Sequence, residues 1–317
     1  MSPTRRVRVV WNPNAGSKVG LPTNTAGREQ LEEVMAKHGL GSDLVTTRSE
    51  EEARRAVRDA VAAGVDVVAA AGGDGTARLA ATELLGSETA LAILPLGSVM
   101  NLARSLDVPR DLDPAARLVM EGPIRAIDVG EVEHGSRVVP FFEGASVGLS
   151  AALFAQAQEV DRGRLGGFVG ALRVLLGYRP HRMRLELDEE VVETRAVMIA
   201  VANGPYVGIG FTVAPEARLD DGCFDVRVFS HLSRWEAVAH LVSVAAGRRR
   251  YQPRVATYRS AHVTISGRHP LQCRADGIDL GRTPVSLRVR RHALRVVVPH
   301  DAGHLGAGVP AANTSFG

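Results

Sequence analysis

Val65-Asp66-Val67-Val68-Ala69-Ala70-Ala71-Gly72-Gly73-Asp74-Gly75-Thr76 runs into Ala77-Arg78-Leu79-Ala80-Ala81-Thr82-Glu83-Leu84-Leu85, and the junction between the two decides the fold. The first stretch has the length and composition of a buried strand, and the apolar residues of the second recur at helical spacing. Between them lie three glycines, one aspartate and a threonine. A glycine-rich turn there is expected to reach positive φ and approach an anion, which the free N–H groups and positive dipole end of the helix would attract. Asp74 could then hold a metal-bound phosphate or accept a proton. The competing reading, Asp74-Gly75 as a hairpin turn, requires a strand afterwards, and a helical pattern follows instead.

Working outward, strand and helix signals alternate over the first third. Residues 7–11 and 90–94 read as further buried strands. Leu31, Val34, Met35 and His38 form a helical stripe ending at Gly39. Ser49 with Glu52 makes a capping box, and Asp113 before Pro114 reads as an N-cap. Such βαβα order implies a parallel sheet covered on both faces. From about residue 125 the pattern becomes short alternating strands, expected at 127–132, 138–142, 183–187, 191–201, 224–229, 263–266, 285–289 and 294–298. Helical stretches are expected at 150–159, 168–176 and 234–246. A Gly- and Ala-rich tail from His300 is expected to be mobile.

Two further loops follow strand ends, where open α/β sheets place their ligands. Asn12-Pro13-Asn14-Ala15-Gly16-Ser17-Lys18 offers amide, hydroxyl and ammonium groups to an anion, and Pro95-Leu96-Gly97-Ser98 leads into Asn101. No Walker A, GxGxxG or protein-kinase signature is present.

Composition narrows the classes. The 317 residues exceed what one core usually serves, and 45% hydrophobic content argues for a folded globular chain. A net charge of +3 with interleaved signs speaks against a nucleic-acid partner. Cys223 and Cys273 are too few for a disulfide framework and suit a reducing compartment, and the histidines form no metal-ligand pattern. No apolar run approaches the length of a signal peptide or a membrane span, so a cytoplasmic protein is expected, peripheral to a membrane at most. Arg162, Arg164, Arg173, Arg179, Arg182 and Arg184 flank the apolar stretch 168–176 and could rest on an anionic bilayer surface.

Together, NPNAGSK at Asn12 to Lys18, GGDGT at Gly72 to Thr76, PLGS at Pro95 to Ser98 and LDDGCFDV at Leu219 to Val226 resemble the diacylglycerol kinase catalytic family. That family includes soluble bacterial lipid kinases and sphingosine kinases and is distantly related to NAD kinases. The resemblance implies a Rossmann-like, NAD-kinase-like α/β nucleotide-binding domain over 1–124. A mainly antiparallel β-sandwich for the lipid would cover 125–299, its last strand packing back on the first domain, with the tail over 300–317. ATP would phosphorylate a diacylglycerol-like hydroxyl in the cleft between the two. The nucleotide would lie against Asn12, Lys18, Thr47, Gly72, Gly73, Asp74, Gly75, Thr76 and Ser98. Mg²⁺ would be held by the Arg218 and Cys223 carbonyls and the Asp221 carboxylate. A homodimer is left open.

The chain departs from the family pattern at several positions. Arg78 and Leu79 stand for the usual Asn and Glu, Ser98 for Thr, and Met100 where Asn is common. The late DGE motif, whose Glu is the proposed base, reads Asp276-Gly277-Ile278. Asp276 would share the face of Ile278 on a regular strand and substitute for that base, whereas Asp279 would not. Three alternatives therefore stay open. One is a catalytically impaired nucleotide- or lipid-binding paralogue. Another is a serine hydrolase through Ser146, in the elbow-like spacing Gly144-Ala145-Ser146-Val147-Gly148. The third is an NAD kinase, which shares GGDGT.

Overall fold

The computed structural model describes residues 5–14, 26–134, 137–149, 151, 177–208, 211–230, 255–302 and 305. Lys18, the helices expected at 168–176 and 234–246, all but residue 151 of the one expected at 150–159, and Arg162, Arg164 and Arg173 lie outside them. In the first part the order is β1 (Val7–Trp11), α1 (Arg28–His38), β2 (Leu44–Thr46), α2 (Glu50–Ala62), β3 (Val67–Gly72), α3 (Asp74–Leu84), β4 (Ala90–Pro95), α4 (Asn101–Ser105) and α5 (Leu112–Glu121). Then come β5 (Ile124–His134), β6 (Arg137–Phe141), β7 (Gly144–Gly148), β8 (His181–Leu187), β9 (Val191–Ala196), β10 (Met198–Ala202), β11 (Tyr206–Val207) and β12 (Phe211–Thr212). The last strands are β13 (Phe224–Phe229), β14 (Val255–Ser260), β15 (His262–Gly267), β16 (Gln272–Ala275), β17 (Ile278–Arg282) and β18 (Val285–Val297).

Strands β2-β1-β3-β4 are parallel, and every residue of β3 and β4 is buried, as helices on both faces require. The helix ends follow local chemistry. Gly39 takes the left-handed conformation after α1, and the Ser49 hydroxyl accepts the Glu52 N–H at 3.2 Å. The Glu52 carboxylate reaches past the cap to the Arg48 N–H at 2.7 Å. Asp111, and not Asp113, occupies the N-cap of α5. The Asp113 carboxylate instead meets Lys37 and His38 of α1.

The second part is a sandwich. One layer continues the first sheet through β18, β15, β8 and β9, with β5 and β6 alongside; the other runs β14-β13-β10-β7-β16-β17. Period-two alternation turns Met183 and Leu185 inward from β8, and Phe224, Val226 and Val228 inward from β13. Phe141 and Phe224 stack between the layers with centroids 5.5 Å apart. Gly130 is needed there, because a Cβ would overlap the Phe141 ring.

Several expected strands are divided differently. The stretch 191–201 breaks at Val197, so that β9 belongs to one layer and β10 to the other. The strands expected at 285–289 and 294–298 are one long β18, with an irregularity between Arg290 and Leu294 where His292 has φ 50°. Its far end pairs parallel with β4, Val296 opposite Leu91. The chain does not leave the body at His300 either. Ala302 and Leu305 are buried, and the Leu219 N–H donates to the Leu305 carbonyl at 2.7 Å.

Candidate functional site

The GGDGT segment is tighter than a loop. Gly72 ends β3, Gly73 is the N-cap, and Asp74 already opens α3. None of its glycines has positive φ, contrary to the expectation from sequence. They are required for close approach. A Cβ on Gly72 would overlap Thr76, and one on Gly97 would lie 2.7 Å from the Gly73 Cα and from Met100 Sδ. The turn after β3 and the turn after β4 thus pack backbone against backbone. Gly75 is different: it is exposed, with nothing near where its Cβ would be. The first helical bond shown at this end is Ala77 N–H to the Gly73 carbonyl, which leaves the earlier N–H groups of α3 outside the helix's own bonding. An open, N–H-lined end of this kind accepts an anion.

Around it, Asn12 Nδ2 lies 3.4 Å from Thr76 Oγ1, tying the end of β1 to the first turn of α3. Ser98 is half-buried beside Gly97. Thr47 does not present its hydroxyl to this end; the side chain is buried and donates to the Trp11 carbonyl at 3.1 Å.

The Asp74 carboxylate is engaged. Its oxygens accept the backbone N–H groups of Met100 at 2.9 Å and Asn101 at 2.6 Å, which caps α4 across the two turns. Met100 adopts the left-handed conformation to make this possible. Asn101, wholly buried, passes the connection on: Nδ2 donates to Glu143 Oε2 at 2.8 Å and to the Gly208 carbonyl at 2.6 Å. Its Oδ1 is buried and has no partner among the described residues. Glu143 also accepts the Gly208 N–H at 3.1 Å, and its own N–H donates to Asp276 Oδ1 at 3.0 Å. Arg104 of α4 stacks over the Tyr206 ring, 3.7 Å from its centroid. One polar path therefore joins Asp74 to Asp276 across the two parts of the chain.

Asp276 is not on a strand face. It has φ 43° and Gly277 φ 78°, and the two form the turn between β16 and β17, with Ala275 opposite Ile278. The Asp276 carboxylate accepts three consecutive N–H groups, from Phe142 at 2.6 Å, Glu143 at 3.0 Å and Gly144 at 3.1 Å. Burial raises its pKa against those bonds. Burial, then the charges of Asp276 and Asp74, hold Glu143 well above the usual carboxylate range. Glu143 was not among the expected site residues. The signal was there: one acid in the otherwise apolar run Phe141-Phe142-Glu143-Gly144-Ala145.

Ser146 lies inside β7, opposite Ala200 of β10 and Arg274 of β16, so it is not at a strained elbow. Arg184 is paired with Glu186 and Glu193 on β8 and β9, which reduces its attraction for an anionic surface. No helix among the described residues is long and apolar enough to cross a membrane.

The Asp221 carboxylate is already paired, and in that state does not fit the divalent cation that the resemblance implies. Asp221 Oδ2 forms a short ion pair with Arg259, and Oδ1 accepts the Cys223 N–H at 3.1 Å. Arg291 donates to the Asp221 carbonyl at 3.3 Å and crowds Gly222, whose N–H is bound by Asp128 Oδ2 at 2.6 Å. A hard cation takes carboxylate and carbonyl oxygens that other groups do not already engage. Here a guanidinium already neutralises the one carboxylate, and a second lies close by. Of the set Arg218, Asp221 and Cys223, Asp221 is thus clamped by two arginines.

Comparison with known proteins gives the family. Residues 6–132 match the model of the diacylglycerol kinase catalytic domain, and residues 144–298 that of the YegS C-terminal NAD kinase beta sandwich-like domain. A Pseudomonas aeruginosa protein named "Probable lipid kinase YegS-like" is 31% identical over 90% of this chain and 92% of its own. A protein of the same name from Pseudomonas syringae is 32% identical over 87% and 90%. The crystal structure of a diacylglycerol kinase from Bacillus anthracis superimposes with a TM-score of 0.71 at 18% identity, covering 95% of this chain and 99% of that one. Two domain models matched in order, and relatives above 30% identity along nearly the whole chain, establish that it belongs to the YegS-like branch of the diacylglycerol kinase family of lipid kinases.

Proposed function

We propose that the protein transfers the γ-phosphoryl group of ATP to the hydroxyl of a diacylglycerol-like lipid, at the junction of the α/β part and the sandwich. The observation that carries this reading is the hydrogen-bonded path from Asp74 through Asn101 and Glu143 to Asp276, which begins at the open N-terminus of α3. The exposed Gly75 leaves room there for phosphate oxygens against N–H groups. Arg78, one turn further along α3, sends its positive charge toward Asp276 and would complement the phosphates. Mg²⁺ enters as part of the nucleotide substrate. Asp74 holds the two turns in register and so fixes where the phosphates lie. ATP supply and two free cysteines favour action from the cytoplasm, at a membrane surface that supplies the lipid.

Purified protein with Mg-ATP and mixed micelles of diacylglycerol, monoacylglycerol, sphingosine or ceramide tests this. ADP release that depends on one acceptor and is lost in Asp74→Asn is expected. Release that no lipid stimulates contradicts the reading and favours the impaired paralogue.

A further inference from the structure

The position that follows Asp276-Gly277 is Ile278, a half-buried residue opposite Ala275 that has no atom able to take a proton. Asp276 does not replace it, since its oxygens are engaged by three N–H groups. Glu143 lies directly beside this turn. Its main chain is fixed on both sides: the N–H by Asp276, and the carbonyl by the N–H groups of Asn203 at 2.9 Å and Gly204 at 3.1 Å. Its carboxylate is held through Oε2 by Asn101 and Gly208. The bonds that the described residues make to this carboxylate both fall on Oε2, leaving Oε1 to an incoming group, and the buried Oδ1 of Asn101 has no partner among them. Glu143 thus keeps one carboxylate oxygen for a donor, beside an Asn101 whose own oxygen is unpaired among the described residues. A hydroxyl supplies that donor.

We propose that Glu143 is the proton acceptor for the lipid hydroxyl, in the role that Ile278 cannot fill, with Asn101 orienting it. This rests on the lipid-kinase reading above. The hydroxyl oxygen forms a bond to the γ-phosphorus while the bond from that phosphorus to the β–γ bridging oxygen breaks. The electron pair stays on ADP, and the hydroxyl proton passes to the Glu143 carboxylate, which later returns it to solvent. The groups facing Glu143 are Asp74 of α3 and Asp276 of the β16–β17 turn, with Arg78 of α3 opposing Asp276. Glu143 accepts a proton only when ionised, so turnover rises as pH climbs through its elevated pKa.

The test is Glu143→Gln, which keeps the shape and an acceptor for Asn101. Loss of a positioned base is expected to lower kcat by about 100-fold or more. The KM for ATP should stay within about twofold, the acidic limb of the pH profile should disappear, and Glu143→Asp should restore part of the rate with the limb. Unchanged kcat, or an acidic limb that survives in the glutamine variant, overturns the assignment. So does an equal loss of ATP binding, which marks a structural role. A wild type inert toward every acceptor overturns the kinase reading and this proposal together, whereas an active wild type with an equally active variant overturns only the latter.

Discussion

Asn101 Nδ2 donates to Glu143 Oε2 at 2.8 Å, and through this bond α4 of the α/β part is tied to the start of β7 in the sandwich. Asn101→Ala should deprive Glu143 and the Gly208 carbonyl of a donor at once. A buried group left short of a partner costs about 1–3 kcal/mol. Urea unfolding is expected to show a loss of that size, and kcat should fall with it. A stability equal to wild type would mean that the bond contributes nothing to joining the two parts.

The two glycine turns should separate binding from folding. Gly75→Ala adds a Cβ in open space on a helix, so stability should stay level or rise by up to about 1 kcal/mol. ATP affinity should nevertheless drop about tenfold, or about 1.4 kcal/mol, because the methyl group intrudes where phosphate oxygens would lie. Gly97→Ala should lower both quantities, since its Cβ meets the Gly73 backbone. Calorimetric titration of ATP alongside thermal melts checks the pair.

Chelators should leave the fold untouched. With Arg259 on the Asp221 carboxylate, the melting temperature is expected to be the same in EDTA and in millimolar Mg²⁺ without nucleotide. Arg259 is more than half exposed, so Arg259→Ala should cost less than about 1 kcal/mol. That variant should gain a melting temperature that responds to Mg²⁺. A wild type stabilised by Mg²⁺ alone would show that the turn holds a cation after all.

Burial pushes the Cys273 thiol up to about 12, with Asp279 adding to it, and the thiol donates to the Leu271 carbonyl at 3.4 Å. Thiolate is the reactive form, so iodoacetamide at pH 8 should leave Cys273 unmodified in the native state and alkylate it in urea. Rapid native labelling would contradict the packing of β16.

How far the sequence could be read depended on the range of the interactions. The βαβα order, the Ser49 cap and the Gly39 terminus were legible because each is decided within one or two helical turns. So was the approach of the turns after β1, β3 and β4, since parallel strands bring like ends together. The break at Val197 was hidden because residues on either side are equally β-prone and only the partners differ. Asp113 has an N-cap residue's chemistry, but α1 claims its carboxylate. The arginines that engage Asp221, Arg259 and Arg291, are 38 and 70 residues away in sequence. Asp276 could not be assigned to a turn without knowing that β16 and β17 form a hairpin. Glu143 stood out only as an acid among apolar neighbours, and its partners Asn101 and Gly208 come from elements distant in the chain.

The most direct measurement is transfer of label from γ-labelled ATP into an organic-extractable phospholipid. Wild-type protein given Mg-ATP and diacylglycerol-containing micelles is predicted to produce labelled phosphatidic acid, and Asp74→Asn to produce almost none. Binding of ATP with no label in any lipid of the panel would contradict the central claim.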